Sequence, residues 1–142
     1  MLVGEGGAAE TEPPRQAGAC YCVGMLFDSS YAHGWRARSE IQAEALALEV
    51  SRAEDGARRA VQELAGRFAP ITIWLIGSLA KNTFRPGSDI DFVVRGLPDD
   101  QVEETERVAS RVSGFRVDVI RLERLTEGWR QHHERFGKRM HG

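Results

Sequence analysis

Cysteine is almost missing from this chain: Cys20 and Cys22 are the only two among 142 residues. One intervening residue is too short for an ordinary disulfide, and two thiols do not complete a four-ligand zinc site. The expectation is a pair of free thiols in a reducing compartment. Long apolar runs are also missing. No stretch approaches the roughly 18 residues that a membrane span needs. The N-terminus does not show a charged start followed by an apolar segment, so no signal peptide is expected. Basic excess is the third absence: 19 Lys+Arg stand against 21 Asp+Glu, for a formal net charge of −2. A chain that holds long nucleic acid usually carries a basic stripe, and this balance argues against that partner. The expectation is one soluble, cytoplasmic domain.

What is present divides at about residue 38. Residues 1–38 are rich in Gly, Ala, Glu and Pro, then carry Tyr21, Phe27, Tyr31 and Trp35 without a clean period. They read as an N-terminal extension with disorder or weak local structure, or as sequence upstream of a natural start at Met25. Residues 39–142 read as the folded domain. Ser39 with Gln42 fits a capping box, and Ile41, Ala45 and Leu48 follow at helical spacing. Gly56 interrupts the pattern, and Ser51 with Glu54 offers a second box. Two helices are therefore favoured over one, the second carrying Ala57, Ala60, Val61, Leu64 and Phe68 on one face and stopping at Pro70.

Residues 71–76, Ile-Thr-Ile-Trp-Leu-Ile, have a single polar member and read as a strand buried on both faces. Leu79 to Phe84 suggest a short helix, and residues 85–88 have turn chemistry. A second strand over 89–94 and a third over 115–120 flank a helix that carries Val102, Thr105, Val108, Ala109 and Val112 on one side and closes at Gly114. The remainder, from Leu122, is polar, with a short helix expected over Thr126–Arg135. The order describes a compact α/β domain.

The chemistry concentrates between Gly77 and Asp91. A buried strand ends in Gly77-Ser78, ten residues pass, and Asp89-Ile-Asp91 opens the next strand. Period two puts Asp89 and Asp91 on one face. Two adjacent carboxylates repel unless something neutralises them, and a divalent cation does so. Mg²⁺ takes one or two carboxylates, with waters and substrate phosphates filling the rest. Asp118, inside an otherwise apolar strand, adds a third carboxylate if that strand pairs beside the second. Three converging carboxylates suit a two-metal displacement, with ions about 3.5–4 Å apart on the attacking and leaving oxygens. Gly77 lets backbone approach a ligand, and the Ser78 hydroxyl and nearby amides can donate to phosphate. Lys81, Arg85 and Ser88 line the same segment, the first two bringing positive charge for a triphosphate tail. His132-His133 reads as a solvated pair on a helix, and Trp129 as a residue that packs one.

Gly-Ser, ten residues, then Asp-x-Asp resembles the signature of the DNA polymerase beta-like nucleotidyltransferase superfamily. The short chain is similar to its minimal nucleotidyltransferase branch, from about Ala57 to the end. The resemblance implies a small mixed sheet with helices. It implies that Gly77 and Ser78 hold the phosphates of ATP, that Asp89 and Asp91 bind Mg²⁺, in all two ions, and that Asp118 completes the metal site and helps deprotonate an acceptor hydroxyl. The branch usually has Gly where this chain has Asn82, and commonly Arg where it has Leu79 and Lys81. Lys replaces a bidentate guanidinium only as a point charge. Members of the branch often pair with a HEPN-domain toxin and adenylylate one of its tyrosines, acting as antitoxin. That is the function the resemblance implies here. Its alternatives are an aminoglycoside-type small-molecule nucleotidyltransferase, which would need a dimer to supply a drug pocket, and an antitoxin that acts by binding alone.

Overall fold

The computed structural model describes residues 29–68 and 71–142. The expectations for Cys20 and Cys22, for residues 1–28 of the extension expected over 1–38, including a start at Met25, and for the stop at Pro70 lie outside the described residues, whereas residues 29–38 of that extension are helical. By its internal packing the chain divides into two units, Met1–Ala43 and Glu44–Gly142. Everything the site uses belongs to the second. No helix among the described residues is long and apolar enough to cross a membrane.

A single helix, α1, runs from Ser29 to Arg67. It starts ten residues before the expected capping box at Ser39 and does not break at Gly56, so one helix replaces the expected two. The reason is tertiary. A Cβ at Gly56 would lie 2.7 Å from the Ser113 carbonyl oxygen, so the glycine marks a close approach of backbone and not a helix end. Only the later part of α1 is amphipathic in fact: Ala53, Ala57, Ala60, Val61 and Leu64 are buried, while Ile41 and Leu48 are exposed.

The remaining elements are β1 (Thr72–Ile76), a one-turn helix α2 (Gly77–Ala80), β2 (Ile90–Arg95), α3 (Val102–Ser113), β3 (Val117–Arg121), α4 (Glu127–Phe136) and β4 (Lys138–His141), with short 3₁₀ turns before α3 and after β3. β4 was not expected. Its sequence, Lys-Arg-Met-His, has no apolar alternation, and only Met140 packs against the core. The four strands form one sheet in the order β3-β2-β1-β4. β1 runs antiparallel to β2 and β4, and β2 runs parallel to β3. The sheet is therefore mixed.

One face of the sheet is covered by α1 and α3. Ile73, Leu75, Ile90, Phe92, Val94, Val117 and Val119 point there, and meet the buried face of α1 and Val108 and Ala109 of α3. This is the main core. The other face is partly open. It carries a smaller cluster of Trp74, Val93 and Leu122, with Ile76 and Leu125 against it. The Arg95 guanidinium lies 5.1 Å from the Trp74 ring centroid and pairs with Glu134 of α4 at 2.9 Å. Arg130 of α4 donates to the carbonyls of Leu122 and Glu123, which pins α4 to the turn before it.

Candidate active site

The open face begins where three strand ends meet. β1 stops at Ile76, whose register partner on β2 is Asp91. On the other side Asp91 is the register partner of Asp118 on β3. Because β2 and β3 are parallel, their entry ends coincide, and the two carboxylates stand side by side. Asp89 lies two residues before Asp91, on the same face. The sequence therefore brings all three aspartates together as expected, and the parallel pairing of β2 with β3 is what does it.

Asp91 sits deepest. Burial pushes its carboxyl above the ordinary value, and the negative charges of Asp118 and then Asp89 push it further the same way. Gly77 explains the depth. Its φ is +74°, and a Cβ there would stand 2.2 Å from Asp91 Oδ2. The carboxylate leans over bare backbone at the point where β1 turns into α2. A side chain there would be strained by the backbone conformation and would have to push the Asp91 carboxylate aside.

α2 follows at once. Its backbone closes with the Lys81 amide donating to the Gly77 carbonyl at 3.1 Å, and no side chain caps its start. The Ser78 carbonyl accepts from the Thr83 amide at 2.9 Å, which tightens the turn after α2. Asn82 takes φ +60°, the left-handed conformation that a glycine would supply, so the turn is kept. Leu79 is buried in the main core, on the side of the sheet away from the carboxylates. Its difference from the branch pattern therefore affects packing. Lys81 is exposed and lies near enough to His133 of α4 to contribute, after burial and His132, to lowering that imidazole's pKa. Arg85 and Ser88 close the next turn reciprocally: the Arg85 amide donates to Ser88 Oγ at 3.2 Å, and the Ser88 amide to the Arg85 carbonyl at 2.9 Å.

One residue of the site was missed by sequence reasoning. Arg116 precedes β3, and its Nε lies 3.7 Å from Asp118 and 3.9 Å from Asp89. The signal was available: Arg116 is two residues before Asp118, so period two puts both on one face. Asp91 has no ion-pair partner among the described residues. His132 and His133 stand 5.4 Å apart by ring centroid, and His133 stacks on Trp129.

Three carboxylates with an oxygen-only donor set are the chemistry that Mg²⁺ takes. Among the described residues no group of three or more His, Cys, Asp and Glu side chains is so placed that it could hold a metal ion by itself, these three aspartates included. Mg²⁺ does not ask for an all-protein cage, since waters and substrate phosphates complete its shell. The unpaired Asp91 carboxylate, over Gly77 and beside Asp118, is the observation that fits a cation there.

Residues 55–138 match the model of the nucleotidyltransferase domain. The chain belongs to that family. The match includes every residue of the site described above. No functionally curated protein sequence matches the chain. Among solved structures, this nucleotidyltransferase is similar to one assigned as a minimal nucleotidyltransferase, with a TM-score of 0.50 and 26% identity over 63% of this chain and 92% of the other. It is also similar to a crystal structure of a toxin–antitoxin with AMP-PNP, with a TM-score of 0.53 and 23% identity over 60% of this chain and 73% of the other. The polymerase beta-like fold expected from Gly-Ser and Asp-x-Asp is the fold present.

Proposed function

We propose that this nucleotidyltransferase transfers AMP from ATP, with Mg²⁺, to a tyrosine hydroxyl of a HEPN-type toxin in the cytoplasm, and so acts as its antitoxin. The observation that carries the transfer chemistry is the register of Asp91 against Asp118 beside Gly77. The protein acceptor is supported by the resemblance to the minimal branch and by the fold shared with a toxin–antitoxin that was crystallised with AMP-PNP.

Asp89, Asp91 and Asp118 would hold Mg²⁺. When bound, the ion supplies positive charge to the oxygens that become negative as the phosphoryl group moves. Ser78 Oγ and the uncapped amides at the start of α2 would donate to phosphate oxygens, and Lys81 would add a point charge on the same side. Asp118, paired in register with Asp91, takes the proton of the acceptor hydroxyl. The acceptor oxygen then bonds the α-phosphorus, the bond from that phosphorus to the bridging oxygen breaks, and pyrophosphate leaves. Geometry does much of the work, because groups fixed on strand ends do not need to be gathered for the reaction.

The test is incubation with ATP labelled at the α-phosphate, Mg²⁺ and lysate from the protein's own source, wild type beside Asp91→Asn. A labelled protein band that needs Mg²⁺ and is lost in the variant is the expected result. Label on a small molecule instead would assign the aminoglycoside-type alternative. No transfer by a folded wild type would leave binding alone as the antitoxin's action.

A further inference from the structure

The four positions at the entry of β2 and β3 form a square on the open face. Asp89 and Asp91 make one side, and Arg116 and Asp118 the other. The Ile90 amide donates to the Arg116 carbonyl at 2.9 Å, which fixes Arg116 opposite Asp89 just as Asp118 is fixed opposite Asp91. Three corners are carboxylates and one is a guanidinium. Its Nε reaches toward Asp118 at 3.7 Å and toward Asp89 at 3.9 Å, and does not pair with Asp91. The arginine side chain is 74% exposed, while Asp89 and Asp118 are 35% and 42% exposed. Among the described residues its ion-pair partners are these two carboxylates, and most of its side chain faces solvent.

We infer that Arg116 is a resident counter-cation of this site, which a divalent ion must displace from Asp89 and Asp118 in order to bind. The inference rests on the reading of the three aspartates as the metal-binding group. Its consequence is selectivity for how the ion arrives. A bare ion gains only carboxylates that are already half-compensated. An ion carried by a nucleoside triphosphate brings phosphate ligands of its own, and outcompetes the arginine. The site therefore holds metal poorly until nucleotide is present, which suits an enzyme whose metal is part of its substrate complex. Arg116 acts through the carboxylates, as a positioning residue.

The experiment measures Mn²⁺ binding to the full chain without nucleotide, by loss of the electron paramagnetic resonance signal of the free ion. Wild type is compared with Arg116→Gln, Arg116→Lys and Asp91→Asn. Exposed ion pairs are individually weak, so losing two together is expected to tighten Mn²⁺ binding by about three- to tenfold in Arg116→Gln. Arg116→Lys keeps a cation and is expected to fall between that variant and wild type. The exposed side chain contributes no core packing, so without metal Arg116→Gln should melt lower by no more than a few degrees, the worth of the two lost ion pairs. Equal or weaker Mn²⁺ binding in Arg116→Gln, with Asp91→Asn weaker than wild type, overturns the role of Arg116 and leaves the metal site standing. No Mn²⁺ binding by any form overturns this inference, and if equilibrium dialysis also shows no Mn²⁺-dependent retention of ATP by wild type, the metal reading falls with it.

Discussion

Gly77 and Asp91 are chosen for each other. The carboxylate occupies the space where a side chain at residue 77 would be, and the backbone there is left-handed. Gly77→Ala is therefore expected to cost about 1–3 kcal/mol of stability, because strain and clash act together. It should also lower nucleotidyl transfer on the order of 100-fold, since displacing Asp91 by about an ångström misplaces the reacting groups. Chemical denaturation and a labelled-ATP assay read the two effects. Asp91 itself trades stability for function. Its carboxyl holds a proton to higher pH in the folded chain than in the unfolded one, so the folded state binds more protons through that range. Stability then falls as pH rises from the ordinary carboxyl value of 3.8 through the raised one, and the penalty persists at neutral pH. Asp91→Asn should melt a few degrees above wild type at pH 7 without divalent ions, while losing transfer activity. The difference should fade as pH drops below 3.8, where both states protonate the wild-type carboxyl. A variant that melts below wild type at pH 7 would show that the carboxylates are compensated by something other than metal.

β3 and α1 show how neighbours decide what an element does. β3 is an edge strand of the sheet, and its outward amides are not left open. Val119 donates to Glu106 Oε1 at 3.0 Å and Val117 to Ser110 Oγ at 3.0 Å, both from α3. An uncovered edge invites pairing with another chain, and here helix side chains fill it. Glu106→Ala should speed hydrogen exchange at the Val119 amide by about tenfold, the loss of one hydrogen bond to a charged acceptor. Val117, held by Ser110, should change little and serves as the internal control. In α1 the decisive residue is Gly56. Alanine favours a helix over glycine by about 1 kcal/mol, yet the added Cβ would meet the Ser113 carbonyl oxygen at 2.7 Å. The clash is expected to win, so that Gly56→Ala is net destabilising by about 1–2 kcal/mol. A stabilised variant in a urea melt would instead mean that α3 yields easily at its end.

At the scale of the molecule, the site occupies one end of one face, and the other face carries the main core. Binding chemistry and stability are thereby placed on opposite sides of a single sheet. The unit Glu44–Gly142 contains every residue of both. A fragment of residues 44–142 is expected to fold by itself, with a cooperative thermal transition by circular dichroism. A non-cooperative melt would show that the first unit contributes to the core's integrity.

Much of this was legible in the chain. Period two alone put Asp89 beside Asp91, a buried apolar run marked β1, and Gly77-Ser78 marked the turn that follows it. These features are local, and local sequence is enough to set them. The convergence of Asp118 on Asp91 was not local. It required β3 to pair with β2 in parallel and in one register, a choice made by packing α3 across the sheet. The same holds for Gly56, which local propensity reads as a helix break and packing turns into a crossing point. β4 was invisible because an edge strand with one packed residue carries no hydrophobic alternation. The sequence determined which groups could do chemistry. The tertiary structure decided which of them meet, because a register is a property of two strands and cannot be written in either one.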